Sequence, residues 1–181
     1  LLANIGSADY YNNSIDGQVN ITTSKRSPGS TLKPFIYALA LEKGLIHFRT
    51  MLKDTPQTFN EYTPDNYGSI FKGPVQAWFA LSDSRNIPAI TLNRELKDYG
   101  LYEFMKDSGV KEIKEKEHYG LSIVLGSCEV SMLELVKMYA ILANNGIMHE
   151  INFFPVPKLA PGKRLLTRES AFIVRKMLKD N

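Results

Sequence analysis

Residues 26–35 read "RSPGSTLKPF", and the two prolines in this stretch restrict the backbone more tightly than any other feature of the chain. Pro28 and Gly29 make a tight turn directly before Ser30. Pro34 has no backbone N–H to donate to the Ser30 carbonyl, and it disfavours helical geometry at Lys33. The chain beyond is nonetheless helical in period. Leu32, Phe35, Ile36, Leu39 and Ala40 recur on one face, and Gly44 supplies a C-terminal stop. A helix that starts at Ser30, with the Ser30 carbonyl bonded elsewhere, meets both demands. Ser30 and Lys33 then share one face of the first turn. The serine sees unpaired backbone N–H groups and the positive end of the helix dipole, and the lysine can reach its hydroxyl. Partly buried, that lysine loses proton affinity and can act as a base near neutral pH. A capping serine beside a solvated lysine gives the same pattern, so the decision passes to the rest of the chain.

Spacing alone discriminates poorly, because Ser-x-x-Lys occurs three times, at Ser30/Lys33, Ser69/Lys72 and Ser108/Lys111. The chemistry requires both side chains on one helical face. Ser69 is followed by "IFKGP", where Gly73 and Pro74 leave no room for a continuing helix, and Ser108 is followed at once by Gly109. Only Ser30 opens a long apolar-periodic segment. A second element is "LSDSRNIPA", in which Ser84-Arg85-Asn86 is the one Ser-x-Asn of the chain. On a loop, this pattern sets a hydroxyl and a carboxamide side by side. The hydroxyl can relay a proton, and the amide can bond both a substrate carbonyl and a lysine. The same residues before Pro88 are also ordinary turn chemistry.

The remaining pattern predicts a mixed α and β domain with one core, within reach of 181 residues that are 44% hydrophobic. Residues 1–23 alternate weakly around "YYNNSIDGQ", which predicts two strands joined by a hairpin-like loop. Residues 45–73 are long, aperiodic and rich in Pro, Asn, Thr and Tyr, as a segment that wraps a site would be. Pro74 is placed as the first residue of a short helix ending near Ser82. Pro88 opens another, with Leu92, Leu96 and Tyr99 inward and Gly100 closing it. Ser131 and Glu134 form a capping box ahead of Leu135, Met138, Tyr139 and Leu142, with Asn145-Gly146 as the stop. Thr167 caps the last helix.

Several function classes lose support. The net charge of +3 is carried by scattered lysines without an aromatic-interleaved basic stripe, so nucleic acid is not an expected partner. The run "KEIKEKEH" at residues 111–118 mixes signs and reads as a solvated face. Cys128 is alone, which excludes an internal disulfide, and His47, His118 and His149 lack metal-ligand spacing, so neither metal nor cofactor is expected.

The two motifs together resemble the penicillin-binding transpeptidases. "RSPGSTLKPFIYALALEKGLI" is similar to the active-site serine region of that family, and "ALSDSRNIPA" to its Ser-x-Asn loop. "NIGSADYYNNSIDGQVN", "DTPQTFNEYTPDNYGSIFKGPV" and "YGLSIVLGSCEVSMLELVKMYAILANNG" resemble family segments in the same order. The likeness covers essentially the whole chain and is nearest to the bifunctional class A penicillin-binding protein 1C type, which carries an upstream glycosyltransferase domain. It implies an α+β fold, an antiparallel sheet flanked by helices. It implies that Ser30 attacks the D-Ala-D-Ala carbonyl of a peptidoglycan stem peptide, with Lys33 as base, Ser84 as proton relay and Asn86 as anchor of substrate and lysine. An amine from a neighbouring stem then resolves the acyl-enzyme into a cross-link, and β-lactams trap the same serine. The implied location is extracytoplasmic, on the periplasmic side of a membrane-anchored parent.

The sequence departs from the family in one respect. It contains no Lys-Thr-Gly or Lys-Ser-Gly, the motif that in the family binds the substrate carboxylate from a later strand. The expectation is therefore a partial transpeptidase domain over residues 1–181, cut at both ends, without initiator Met, signal peptide or transmembrane run, and inactive in isolation. Two other readings stay open: a carboxypeptidase or β-lactamase-type hydrolase on the same scaffold, and a non-catalytic penicillin-sensing domain.

Overall fold

The apolar period after Ser30 becomes α1, Lys33–Glu42, in a computed structural model of the chain, which describes residues 1–59, 62–155 and 160–179. Leu32, Phe35, Ile36 and Ala40 are fully enclosed, and so are Tyr37 and Ala38 on the other side of the helix. A helix apolar all round belongs at the centre of a core rather than on its surface. Packed around it are α2 (Ala77–Ser82), α3 (Asn86–Glu95), α4 (Leu101–Asp107) and α7 (Arg168–Lys179). Phe35 stacks on Phe104 at 5.4 Å between ring centroids and meets Tyr139 edge-on at 5.2 Å. Each such pair adds about 0.5–1.5 kcal/mol to the burial of the rings.

The helix begins three residues later than the proline argument predicts. Gly29–Leu32 forms a turn of 3₁₀ helix, and the Ser30 carbonyl accepts from the N–H of Lys33. Pro34 cannot supply the usual bond from four residues on, so the tighter bond from three residues on replaces it. Lys33 stays helical at φ −57°, ψ −39° despite the proline that follows.

The β structure is sparse and antiparallel. β1 (Met51–Asp54) pairs with β2 (Gly73–Gln76), with Leu52 opposite Val75 and Lys53 opposite Pro74. β3 (Ile147–Met148) pairs with β4 (Lys163–Arg164). Two further helices, α5 (Lys116–Tyr119) and α6 (Met132–Ala143), flank a 3₁₀ segment at Gly120–Leu125. The fold is thus α+β, as expected, with helices dominating.

Several local expectations are corrected. Residues 1–23 form turns rather than two strands, with a single 3₁₀ turn at Asn13–Ile15. Asn12 Oδ1 accepts from both the N–H and the hydroxyl of Ser14, and Asn20 Oδ1 does the same for Thr22. Such side-chain bonds offer the backbone an alternative to a ladder. Residues 45–73 hold β1 and are not wholly loop, although Asn60 and Glu61 lie outside the described residues. Pro74 sits in β2, which has one neighbour and tolerates a missing donor, and α2 starts at Ala77. Helix α3 opens at Asn86, two residues before Pro88, and ends at Glu95. Gly100 instead begins α4, its N–H bonded to Glu103 Oε2 at 2.9 Å. The capping box stands as expected: Ser131 Oγ accepts from the Glu134 N–H, and Glu134 Oε2 from the Ser131 N–H. Thr167 Oγ1 accepts from the Ser170 N–H at the start of α7.

The turn carrying Ser30 is braced from outside. Gly126, at φ +88°, lies so close to Gly29 that a Cβ there would collide with the Gly29 backbone. Ser27 Oγ donates to the Gly126 carbonyl at 2.6 Å, and Tyr139 Oη to the Thr31 carbonyl at 2.8 Å. Gly126→Ala should therefore destabilise the domain by about 1–3 kcal/mol, from strain plus collision. Gly44→Ala, also at positive φ but with open space around it, should cost no more than about 1 kcal/mol. Urea unfolding of the two variants checks the order.

Candidate active site

Two segments 51 residues apart in sequence meet at one ammonium group. Lys33, on the first turn of α1, is only 1% exposed. Its Nζ donates to the Ser84 carbonyl at 2.5 Å, to Ser84 Oγ at 3.1 Å and to Asn86 Oδ1 at 2.5 Å. An ammonium has three hydrogens, and this set uses all of them. Burial pulls the Lys33 pKa from 10.5 down to about 8, and the nearby Arg85 guanidinium adds to the effect. The three acceptors favour the charged form and work against that drop. The balance leaves a lysine that can give up its proton close to neutral pH.

The Ser84-Arg85-Asn86 loop links α2 to α3. Ser84 adopts φ +53°, a left-handed conformation costly for a serine, of order 1–3 kcal/mol. That reversal brings its carbonyl and hydroxyl to Lys33, and Arg85 returns to extended backbone before α3 opens at Asn86. The orientation of the Asn86 amide follows from its partners. Nδ2 donates to the Asp65 carbonyl at 2.6 Å, which leaves Oδ1 for Lys33.

Ser30 lies exposed on the turn before α1. Among the described residues no hydrogen bond joins its Oγ to Lys33 Nζ, so the direct Ser30–Lys33 bond expected from the spacing is not made. The lysine hydrogens are already taken by the Ser-x-Asn loop. Lys33, Ser84 and Asn86 are thus brought into contact, with Ser30 one turn away on the exposed side. The other two Ser-x-x-Lys pairs are built differently. Ser69 has φ +55° and bonds the Asp65 carboxylate, while Lys72 pairs with Asp83 at 3.1 Å. Ser108 is buried, its hydroxyl spent on the Phe104 carbonyl at 2.7 Å.

Sequence reasoning missed the layer behind the loop. Arg85 is buried and its Nε donates to Asp54 Oδ2 at 2.9 Å, with the guanidinium also bonding the Ile70 carbonyl and Asp83. Asp54, fully buried at the end of β1, accepts from the Lys72 N–H at 3.1 Å and from Asn66 Nδ2 at 2.7 Å. Asn66 Oδ1 in turn accepts from the Asn86 N–H at 2.9 Å. The length and composition of residues 45–73 marked the segment, but no spacing rule singled out Asp54 or Asn66. Asp54→Ala should destabilise the domain by about 3–5 kcal/mol, because it removes the fully buried partner of Arg85 and leaves that charge only the exposed Asp83 at 3.4 Å. Chemical denaturation measures the loss, and a change below 1 kcal/mol would contradict the assigned pair.

Comparison with known proteins finds relatives along the whole chain. The Penicillin binding protein transpeptidase domain family matches residues 1–181. The chain is 33% identical to penicillin-binding protein 1C of Escherichia coli over 97% of its own length and 23% of the relative's. It is 31% identical to penicillin-binding protein 1F of Bacillus subtilis over 98% of its length and 26% of the relative's. It therefore spans about a quarter of the length of these curated relatives. The apo structure of the TP domain from Burkholderia pseudomallei penicillin-binding protein 3 superposes with a TM-score of 0.79 at 18% identity, covering 87% of this chain and 54% of that one.

Proposed function

Since the chain belongs to the Penicillin binding protein transpeptidase domain family, we propose that in the full-length protein it forms the serine site that cross-links peptidoglycan stem peptides. The observation that carries this reading is the buried Lys33, poised near pKa 8 and held by Ser84 and Asn86 beside an exposed serine. Ser30 Oγ attacks the carbonyl of the D-Ala-D-Ala bond, and neutral Lys33 takes its proton. The tetrahedral intermediate collapses to an acyl-Ser30 ester as the terminal D-Ala leaves. Its amine is protonated from Lys33 by way of Ser84. An amine from a second stem then attacks the ester, its proton returning along the same route, and Ser30 is regenerated. Asn86, amide fixed, spans lysine and substrate. A β-lactam enters the same path at the first step and stays on the serine.

We further read residues 1–181 as part of the transpeptidase domain. The Lys-Thr-Gly element, absent from this sequence, would be carried elsewhere in the full-length protein. The substrate places the reaction outside the cytoplasmic membrane. Among the described residues no helix is long and apolar enough to cross one.

Labelling the full-length protein with a fluorescent penicillin should modify Ser30 alone. An adduct mapped to Ser69 or Ser108 sinks the assignment. Lys33→Arg should slow acylation by about 10²–10⁴-fold, since arginine keeps its proton. The acylation rate should climb with pH and level off above about 8. Stability should move the same way in a higher window. The unfolded chain holds this proton up to 10.5 and the folded one only to about 8, so Lys33 opposes folding most below pH 8 and less as pH rises from there to 10.5. Stopped-flow acylation and pH-dependent unfolding read the two trends.

A further inference from the structure

Asn66 touches no residue given a chemical role above except Asn86, yet it is 5% exposed and uses both ends of its amide. One end donates to Asp54, the fixed point that also takes the Lys72 N–H and Arg85 Nε. The other end accepts from the Asn86 N–H. Its neighbour Asp65 presents the carbonyl that takes Asn86 Nδ2. Asn86 is thus gripped at its backbone by Asn66, whose amide is anchored on the buried Asp54 carboxylate, and at its side chain by the Asp65 carbonyl, one peptide bond from that anchor. A carboxamide without such constraint could turn its NH₂ toward Lys33, where it would clash with the ammonium instead of accepting from it.

We propose that Asn66 is a positioning residue of the acyl-transfer reaction: it transmits the rigid Asp54–Arg85 pair to Asn86 and so holds the carboxamide oxygen on Lys33. The inference rests on the Ser30–Lys33 reading above. Asn66 contacts neither lysine nor serine, and its effect passes through Asn86. When the grip is lost, the Asn86 oxygen no longer favours the protonated lysine, and Lys33 gives up its proton at lower pH. The charged groups on that side are Arg85, its partners Asp54 and Asp83, Lys72 paired to Asp83, and Asp65, whose carboxylate accepts from the Asn66 N–H and the Ser69 hydroxyl. None of these is removed by changing Asn66.

The test uses the full-length protein and a fluorescent penicillin, following first-order acylation against pH. Asn66→Ala should lower the plateau rate by about 10–100-fold, the cost of misplacing a group near the reaction, and should move the acid limb below that of the parent. Asn66→Asp is isosteric and, with the one proton that two facing carboxyls share, can still donate to Asp54 and accept from Asn86. It should acylate faster than the alanine variant. Only folded protein is scored, by its cooperative unfolding transition. If the alanine variant does not fold, Asn66→Ser, too short to reach Asn86, replaces it with the same expected values. An acid limb that stays in place, a plateau within threefold of the parent, or an aspartate variant no faster than alanine overturns the proposal. A parent protein that penicillin does not label on Ser30 instead overturns the reading beneath it.

Discussion

The burial of one amine organises this site. Lys33 lies 1% exposed on a helix that is itself enclosed on every side, and an ammonium in that position is stable only if its hydrogens are met. The Ser84–Asn86 loop meets all three. That requirement couples the centre of the core to a loop 51 residues away, and it accounts for the unusual backbone of the loop. Ser84 accepts a left-handed conformation because the alternative is an unpaired buried charge, which costs more.

Behind the loop lies a second buried charge with its own solution. Arg85 occupies the middle position of the Ser-x-Asn pattern, and its side chain turns inward to Asp54 rather than out to solvent. The pair is closed by backbone donors and acceptors on β2's approach, the Lys72 N–H and the Ile70 carbonyl. A polar layer so fully bonded is rigid, since any member that moves leaves another unpaired in low dielectric. It also lowers the proton affinity of Lys33, because Arg85 brings positive charge near the ammonium while Asp54 keeps it in place. One ion pair thus serves shape and electrostatics together.

The serine is treated in the opposite way. Ser30 sits outside the core on a turn whose form is dictated by a missing hydrogen: Pro34 withholds the helical donor, and Lys33 closes the turn one residue early. Gly126 and Tyr139 hold that turn from neighbouring segments. The junction between 3₁₀ turn and α-helix thus leaves Ser30 exposed and, three residues on, buries Lys33.

Local chemistry was legible where it acts over a few residues. The apolar period of α1, the Ser131/Glu134 box, the Thr167 cap and the exclusion of two of three Ser-x-x-Lys pairs all follow from short-range rules, and the four residues singled out for the site were named from their motifs. The strands expected in residues 1–23 failed because Asn12 and Asn20 satisfy the backbone locally, a competition that alternation of polarity does not reveal. The helix placed at Pro74 failed because the partner strand β1 decides that segment, and a partner is not visible in one stretch of sequence. By itself the sequence determined which residues carry candidate reactive groups and where an apolar helical face or a cap can form, since those depend on side-chain type and short-range spacing. Only the tertiary structure decided that Ser84 and Asn86 take all the hydrogens of Lys33 and leave none for Ser30, and that Asp54 and Asn66 stand behind them. Burial and pairing between distant segments set those bonds, and no spacing along the chain encodes a desolvated charge.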